Sequence, residues 1–317
     1  MMQKYFVPIL LSAVPLAPAY GCDLCSIYHV SATEARPGHG FTFSVAEQFT
    51  HFGTLQDTGE RVPNPTHQYE NSSVSQVVVG YTFNDWVSVQ FNAPLIHREF
   101  QRPEGLTMDR GSESGFGDVS LLATLTPVRV IHADSSLVWS VYGGLKLPTG
   151  SSRRLAEELQ EVEVEGAPES GIHGHDLALG SGSLDGVFGT ALFARYQRAF
   201  FQVSLTYSLR SEGDYHYRYA NDLMWTGGPG VFLWQGKTWS TALQFVINGE
   251  DKGLDQFGGV AAADTGITAV YAGPQIAVTW ADTLTMSAGL DLPIVLNNSA
   301  LQAVPDYRIR GTITWKF

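Results

Sequence analysis

Cys22-Asp23-Leu24-Cys25, with His29 four residues on, is the densest group of reactive side chains in the sequence. On a helix through residues 22–30, Cys22, Cys25 and His29 would share a face. Two thiolates and an imidazole make a soft site for zinc or copper, with Asp23 or a loop histidine as fourth ligand. The same cysteines close as a disulfide in an oxidising compartment. They could also exchange electrons as a CxxC pair, although no βαβ pattern follows them. Ser26 stands where a haem-attachment motif needs histidine. A second group, His173-Gly174-His175-Asp176, adjoins the acids Glu157, Glu158, Glu161, Glu163, Glu165 and Glu169. It reads as a solvated loop, or as a place where His173 and His175 capture a cation. His51, His97 and His216 fall near the same end of the predicted elements.

A third set is scattered singly among alternating residues: Asp118, Lys146, Arg195, Asp291, Arg308, Arg310 and Lys316. Charges so placed suit a water-filled interior, where they pair with one another or select solutes. Lys146, Asp291, Arg308 and Arg310, with Asp118, are the candidate lumen residues. Nothing points to catalysis. Gly-x-Ser-x-Gly is absent, Ser183 has no nucleophile elbow around it, and no glycine loop is followed by Lys-Ser/Thr at a P-loop position. No cofactor is expected, and the chain does not read as an enzyme.

The elements that carry these residues are strands. In residues 307–317, Tyr307, Ile309, Gly311, Ile313, Trp315 and Phe317 alternate with Arg308, Arg310, Thr312, Thr314 and Lys316. The same period-two pattern runs through segments 41–52, 74–83, 86–97, 117–126, 137–147, 184–195, 200–209, 223–234, 239–248, 268–280 and 284–294. Short connections at 84–85, 197–199, 235–238 and 281–283 alternate with long ones at 53–73, 99–116, 148–183, 210–222, 249–267 and 295–306. Segment 127–136 is intermediate in length and falls among the short set. Aromatic residues cluster at the short turns: Tyr81, Phe83 and Trp86 at one, Trp234 and Trp239 at another, with Trp280 and Trp315 near the same rim. Sided loops, an aromatic rim and a terminal Phe together predict an all-β, antiparallel, twelve-stranded transmembrane barrel, monomeric, with short turns in the periplasm.

Composition agrees. Lys4 and a mainly apolar run to Leu16 precede Ala17-Pro18-Ala19, an export signal over residues 1–19. Residues 20–40 are then a periplasmic segment or plug, and residues 41–317 the barrel. No later stretch reaches the roughly 20 apolar residues of a membrane helix, and barrel strands need only about 9–11. Only 16% of residues are charged and 33 are glycine. A formal charge of −12 excludes nucleic acid as a partner.

Three ordered segments carry a resemblance: Gly115-Phe116-Gly117-Asp118-Val119-Ser120-Leu121, Gly143-Gly144-Leu145-Lys146-Leu147-Pro148-Thr149-Gly150 and Leu179-Gly180-Ser181-Gly182-Ser183-Leu184-Asp185. Over residues 115–195 the chain resembles the outer-membrane transporter-like family named for the MetA pathway of phenol degradation. The resemblance implies a barrel of the Gram-negative outer membrane, inserted by the barrel-assembly machinery and surrounded by lipid. It implies passive passage of a small solute, often hydrophobic or aromatic. Two other readings stay open: a scaffold that clamps a periplasmic partner through residues 22–30, and metal uptake through the cysteines and loop histidines.

Overall fold

The structure, a computed structural model, describes residues 39–159 and 165–317. The predicted export signal and Cys22, Cys25 and His29 lie outside the described residues. The chain forms β1 (Gly40–Asp57), β2 (Tyr69–Thr82), β3 (Val87–Glu104) and β4, which runs in two segments, Thr107–Phe116 and Ser120–Ile131. There follow β5 (Ser135–Lys146), β6 (Asp185–Tyr196), β7 (Ala199–Leu209), β8 (Asp222–Gln235) and β9 (Trp239–Lys252). The last strands are β10 (Ile267–Trp280), β11 (Leu284–Asn298) and β12 (Gln302–Lys316). Each strand pairs antiparallel with the next, and β12 pairs with β1 from Lys316–Thr42 up to Gln302–Gln56. The result is a closed twelve-stranded barrel.

Closure follows from the alternation. Val45, Phe91, Leu121, Phe188, Leu205, Leu243, Ile276 and Ile309 stand exposed on the outer wall. Ser44, Gln48, Asn92, Ser120, Thr206 and Gln244 are buried on the inner one. The outer belt suits hydrocarbon, and closing the sheet leaves no unpaired edge within it. Tight turns join the strands at the aromatic rim. Ala281 and Asp282 have φ of 49° and 59°, the left-handed central pair of the turn in which Thr283 N donates to Trp280 O at 3.0 Å. Phe41 and Tyr81 meet there at 4.8 Å with tilted rings, Tyr81 and Phe83 edge to face at 5.0 Å, and Trp234 lies 5.7 Å from Trp239. Such rings fit the boundary between lipid and water.

The strands run further than the alternation predicts at the opposite end. The expected long loop at 99–116 is mostly a hairpin of β3 and upper β4, paired from Leu95–Phe116 to Glu104–Thr107. At the tight-turn end the segment at 127–136 is likewise largely strand, with a short turn where His132 N donates to Ser135 O at 2.7 Å. Above the lipid both faces of a strand meet water, so polarity stops alternating and the sequence signal fades. A charge interrupts the apolar outer face of β1. Glu47 lies between outward Val45 and Phe49, and accepts from Ser73 Oγ at 2.5 Å and from Ser75 Oγ. The two hydroxyls replace part of the hydration that a carboxylate facing lipid loses.

Candidate functional site in the lumen

Two adjoining cavities occupy the described lumen. The lower, on the side of the tight turns, is lined by Gln202, Gln244, Gln275, Thr279, Thr285 and Ser287 among others. Against these stand Phe193, Phe200 and Phe232. The Phe193 and Phe200 rings are 5.9 Å apart, and the Phe200 and Phe232 rings 5.2 Å apart. They belong to β6, β7 and β8 and fall on the polar side of the alternation. The upper cavity is lined by Gln48, Thr226, Asn248, Glu250, Asp291, Arg308, Arg310 and Thr312 among others. Gln202 and Gln275 line both cavities.

Register places the predicted charges of β11 and β12 together. Asp291 pairs with Arg308, and Gly289 with Arg310. Arg310 donates from Nε and Nη2 to Asp291 at 2.5 and 2.9 Å, and from Nη1 to Gln275 at 3.3 Å. Asn248 Nδ2 donates to the same carboxylate at 2.9 Å. Arg308 lies 4.0 Å over the Tyr271 ring and donates to Glu250 at 3.2 Å. Every cation here faces a carboxylate, so this stretch of lumen carries little net charge.

Lys146 and Asp118 are elsewhere. Lys146 Nζ lies 2.6 Å from Asp118 and 2.9 Å from Asp185, and also donates to Ser181. Asp118 further accepts from the backbone of Ser181 and Gly150, each at 2.9 Å. Arg210 bridges Asp185 at 2.9 Å and Asp222 at 2.7 Å. All these side chains are buried. They clasp the break in β4 to β5, β6 and β8 and do not line either cavity. At this crossing a Cβ on Gly180 would lie 2.6 Å from Gly150 Cα, so only glycine lets the two backbones pass. Arg195 turns to the backbone carbonyls of Gln197, His132 and Ala133 at the tight-turn end. Lys316 lines the lower cavity with Asp282.

The connection from β5 to β6 folds inward over the upper cavity. Leu179 packs on Val74 and Ile96 of β2 and β3. Ile172 and Leu177 pack on Phe100, with Ala303 of β12 against them. Leu155 and Ala178 meet Tyr217 and Tyr219 of the β7–β8 connection. The segment therefore touches opposite walls and plugs this end of the barrel. Its acids, expected as a solvated run, are partly paired. Glu157 lies 2.6 Å from Arg102 and also bonds Arg154. Glu161 and Glu163 lie outside the described residues.

His173 and His175 belong to this plug. Their rings stack at 5.7 Å. His175 Nδ1 is 2.9 Å from Glu158, and Nε2 is 3.3 Å from Asp176. Burial alone would lower the His175 pKa, but Asp176, Glu158 and Asp264 together raise it well above the usual value. Burial would likewise raise the Glu158 carboxyl, and His175 instead holds it at about 2. The arrangement is a charged imidazolium among carboxylates. His51 faces Asn71 and Asp306, His97 bonds Ser114, and His216 bonds Glu212, so the loop histidines do not converge. Among the described residues no three His, Cys, Asp or Glu side chains group to hold a metal ion. The three lumen phenylalanines were not among the candidate residues, although Phe200 beside Gln202 on the polar face of β7 was a usable signal.

No protein-family model and no curated protein matches the chain. Among solved structures it is similar to an outer membrane channel from Pseudomonas putida F1. The identity is 16% over 89% of this chain and 97% of that one, with a TM-score of 0.64. The translocator domain of the autotransporter NalP from Neisseria meningitidis matches at 12% identity over 89% and 90%, TM-score 0.42. The beta domain of the Bordetella autotransporter Brka matches at 9% over 88% and 100%, TM-score 0.45. The first likeness, with the apolar belt and aromatic rim, establishes the fold of a bacterial outer-membrane β-barrel, with lipid as its surroundings.

Proposed function

We propose that this barrel is an outer-membrane channel through which a small solute with a flat apolar face passes without an energy source. The observation that carries this is the lower cavity, where Phe193, Phe200 and Phe232 cluster among amides and hydroxyls. A lumen that only admitted water and ions would gain nothing from burying phenylalanine there. An apolar ring laid on that shelf leaves water, while its polar edge meets Gln202, Gln244 or Gln275. The neighbouring charges are paired, so they steer rather than trap. The Pseudomonas protein of similar fold is itself an outer membrane channel, which agrees with the reading.

Planar-bilayer recording and liposome swelling on the purified protein test the proposal. Discrete conductance steps and passage of small solutes are expected. No flux under conditions where a general porin conducts would overturn it and leave a scaffold as the better reading.

A further inference from the structure

Resting on that channel reading, the lumen also indicates which end groups the solute carries. Arg308 and Arg310 point into the same space from alternate positions of β12 and present different surfaces. Arg308 and its partner Glu250 line the upper cavity but have side chains only 6% and 7% exposed, so that pair presents little of either pole to it. In the other pair the Arg310 side chain is 24% exposed and Asp291 is 0% exposed. The carboxylate sits behind, fixed by Asn248, and the guanidinium stands in front of it. The pair is neutral as a whole, yet its accessible pole is cationic. Nη1 makes its longest bond, 3.3 Å, to Gln275, one of the two residues shared with the phenylalanine-lined cavity.

We infer that the solute is an aromatic carboxylate. Its ring lies on Phe200 and Phe232, and its carboxylate accepts from Arg310 Nη1 in place of the Gln275 oxygen. Asp291 keeps Nε and Nη2, so the wall need not reorganise. A charge-assisted hydrogen bond is about twice as strong as a neutral one, which favours the acid over the matching alcohol by about tenfold. A cationic analogue meets the wrong pole.

The test is block of single-channel current in the purified protein by benzoate, benzyl alcohol, benzylammonium and acetate. Benzoate should halve the open current at about tenfold lower concentration than benzyl alcohol. Benzylammonium and acetate should be weaker still. The double substitution Arg310→Gln/Asp291→Asn removes both charges and should bring benzoate to the level of benzyl alcohol. Phe232→Ser should weaken both ring-bearing neutral and acidic blockers alike. If the double variant does not fold, as judged by heat-modifiable mobility on gels, Arg310→Lys replaces it. Lysine keeps the charge and loses the fork, so the benzoate preference should fall and not vanish. Equal block by benzylammonium and benzoate would overturn the inference, as would a preference unchanged in these variants. Conductance without benzoate preference defeats this inference alone, whereas absence of any conductance defeats the channel reading beneath it.

Discussion

At the plugged end the barrel is filled by buried ion pairs, Lys146 with Asp118 and Asp185, Arg210 with Asp185 and Asp222, and His175 with Glu158. Toward the tight turns the lumen is walled by glutamines, hydroxyls and three phenylalanines. Both ends are polar interiors, yet they tolerate change differently. A buried charge has given up its hydration and depends on one partner in one geometry. An amide or hydroxyl facing a cavity exchanges a protein partner for water or solute at small cost. The plugged end is therefore specified by its pairs, and the other end is free to handle a passing molecule.

The largest break in that contrast should come from Lys146→Met. Asp118 would keep its backbone donors and Asp185 its Arg210, but the ammonium that neutralises both would be gone. A loss of about 3–5 kcal/mol is expected, read by urea unfolding in vesicles through tryptophan fluorescence. Gln244 donates to Gly228 O at 3.1 Å in the lower cavity wall, and Gln244→Leu should cost only about 1 kcal/mol. Equal losses would remove the distinction between the two ends.

Next in size is the pH dependence of the plug. Glu158 is held at about 2, down from 4.5. Its contribution is present above pH 4.5 and disappears as pH falls toward 2, on the order of 3 kcal/mol in all. His175 is shifted the other way, well above 6.5. Its contribution is complete below pH 6.5 and is lost as pH rises through that raised value. Hydrogen exchange across residues 172–180 should thus show greatest protection between about pH 4.5 and 6.5 and decline on both sides. His175→Gln should flatten the alkaline limb. A profile as flat as that of β10 would show that the pair does not hold the plug.

The barrel was legible because lipid imposes a rule on every second residue. Phe91, Leu95, Asn92 and Gln90 of β3 reveal their faces without any knowledge of their neighbours. The pairing of Arg308 and Arg310 with Glu250 and Asp291 was only half legible, since alternation gives the face and register gives the partner. The plug was not legible. Glu157 and Glu158 look like part of a solvated acidic run, and what buries them is Arg102 of β3, Arg154 and His175. Such partners are chosen by tertiary folding and leave no local period. Glu47 shows the converse failure: the lipid rule alone would exclude it, and only the hydroxyls of Ser73 and Ser75 across the sheet make it tolerable.

A smaller effect tests the cavity side. Phe232 is only half-buried on the lumen face, so Phe232→Ala should cost about 1 kcal/mol, well below the roughly 3–5 of a core phenylalanine. The same change should widen the path and raise the unitary conductance. Loss of folding instead would mean that the phenylalanine shelf is a structural core.

The smallest expected effect separates true members of the plugged-end network from its fringe. Arg153 and Arg154 both bond Glu113 at 2.7 Å, and by that distance they rank equal. Their surroundings do not. The Arg153 side chain is 70% exposed, against 19% for Arg154. Arg154 also bonds Glu157 and lies 5.3 Å from the Phe100 ring. Water and salt screen the first, so Arg153→Ala should cost at most about 1 kcal/mol and nothing measurable in high salt. Arg154→Ala removes a second carboxylate contact and a ring contact, and should cost about 1–2 kcal/mol that salt does not erase. Urea titrations at low and high salt decide between them. Equal, salt-sensitive losses would mean that surface electrostatics, and not burial, holds the plug to the wall.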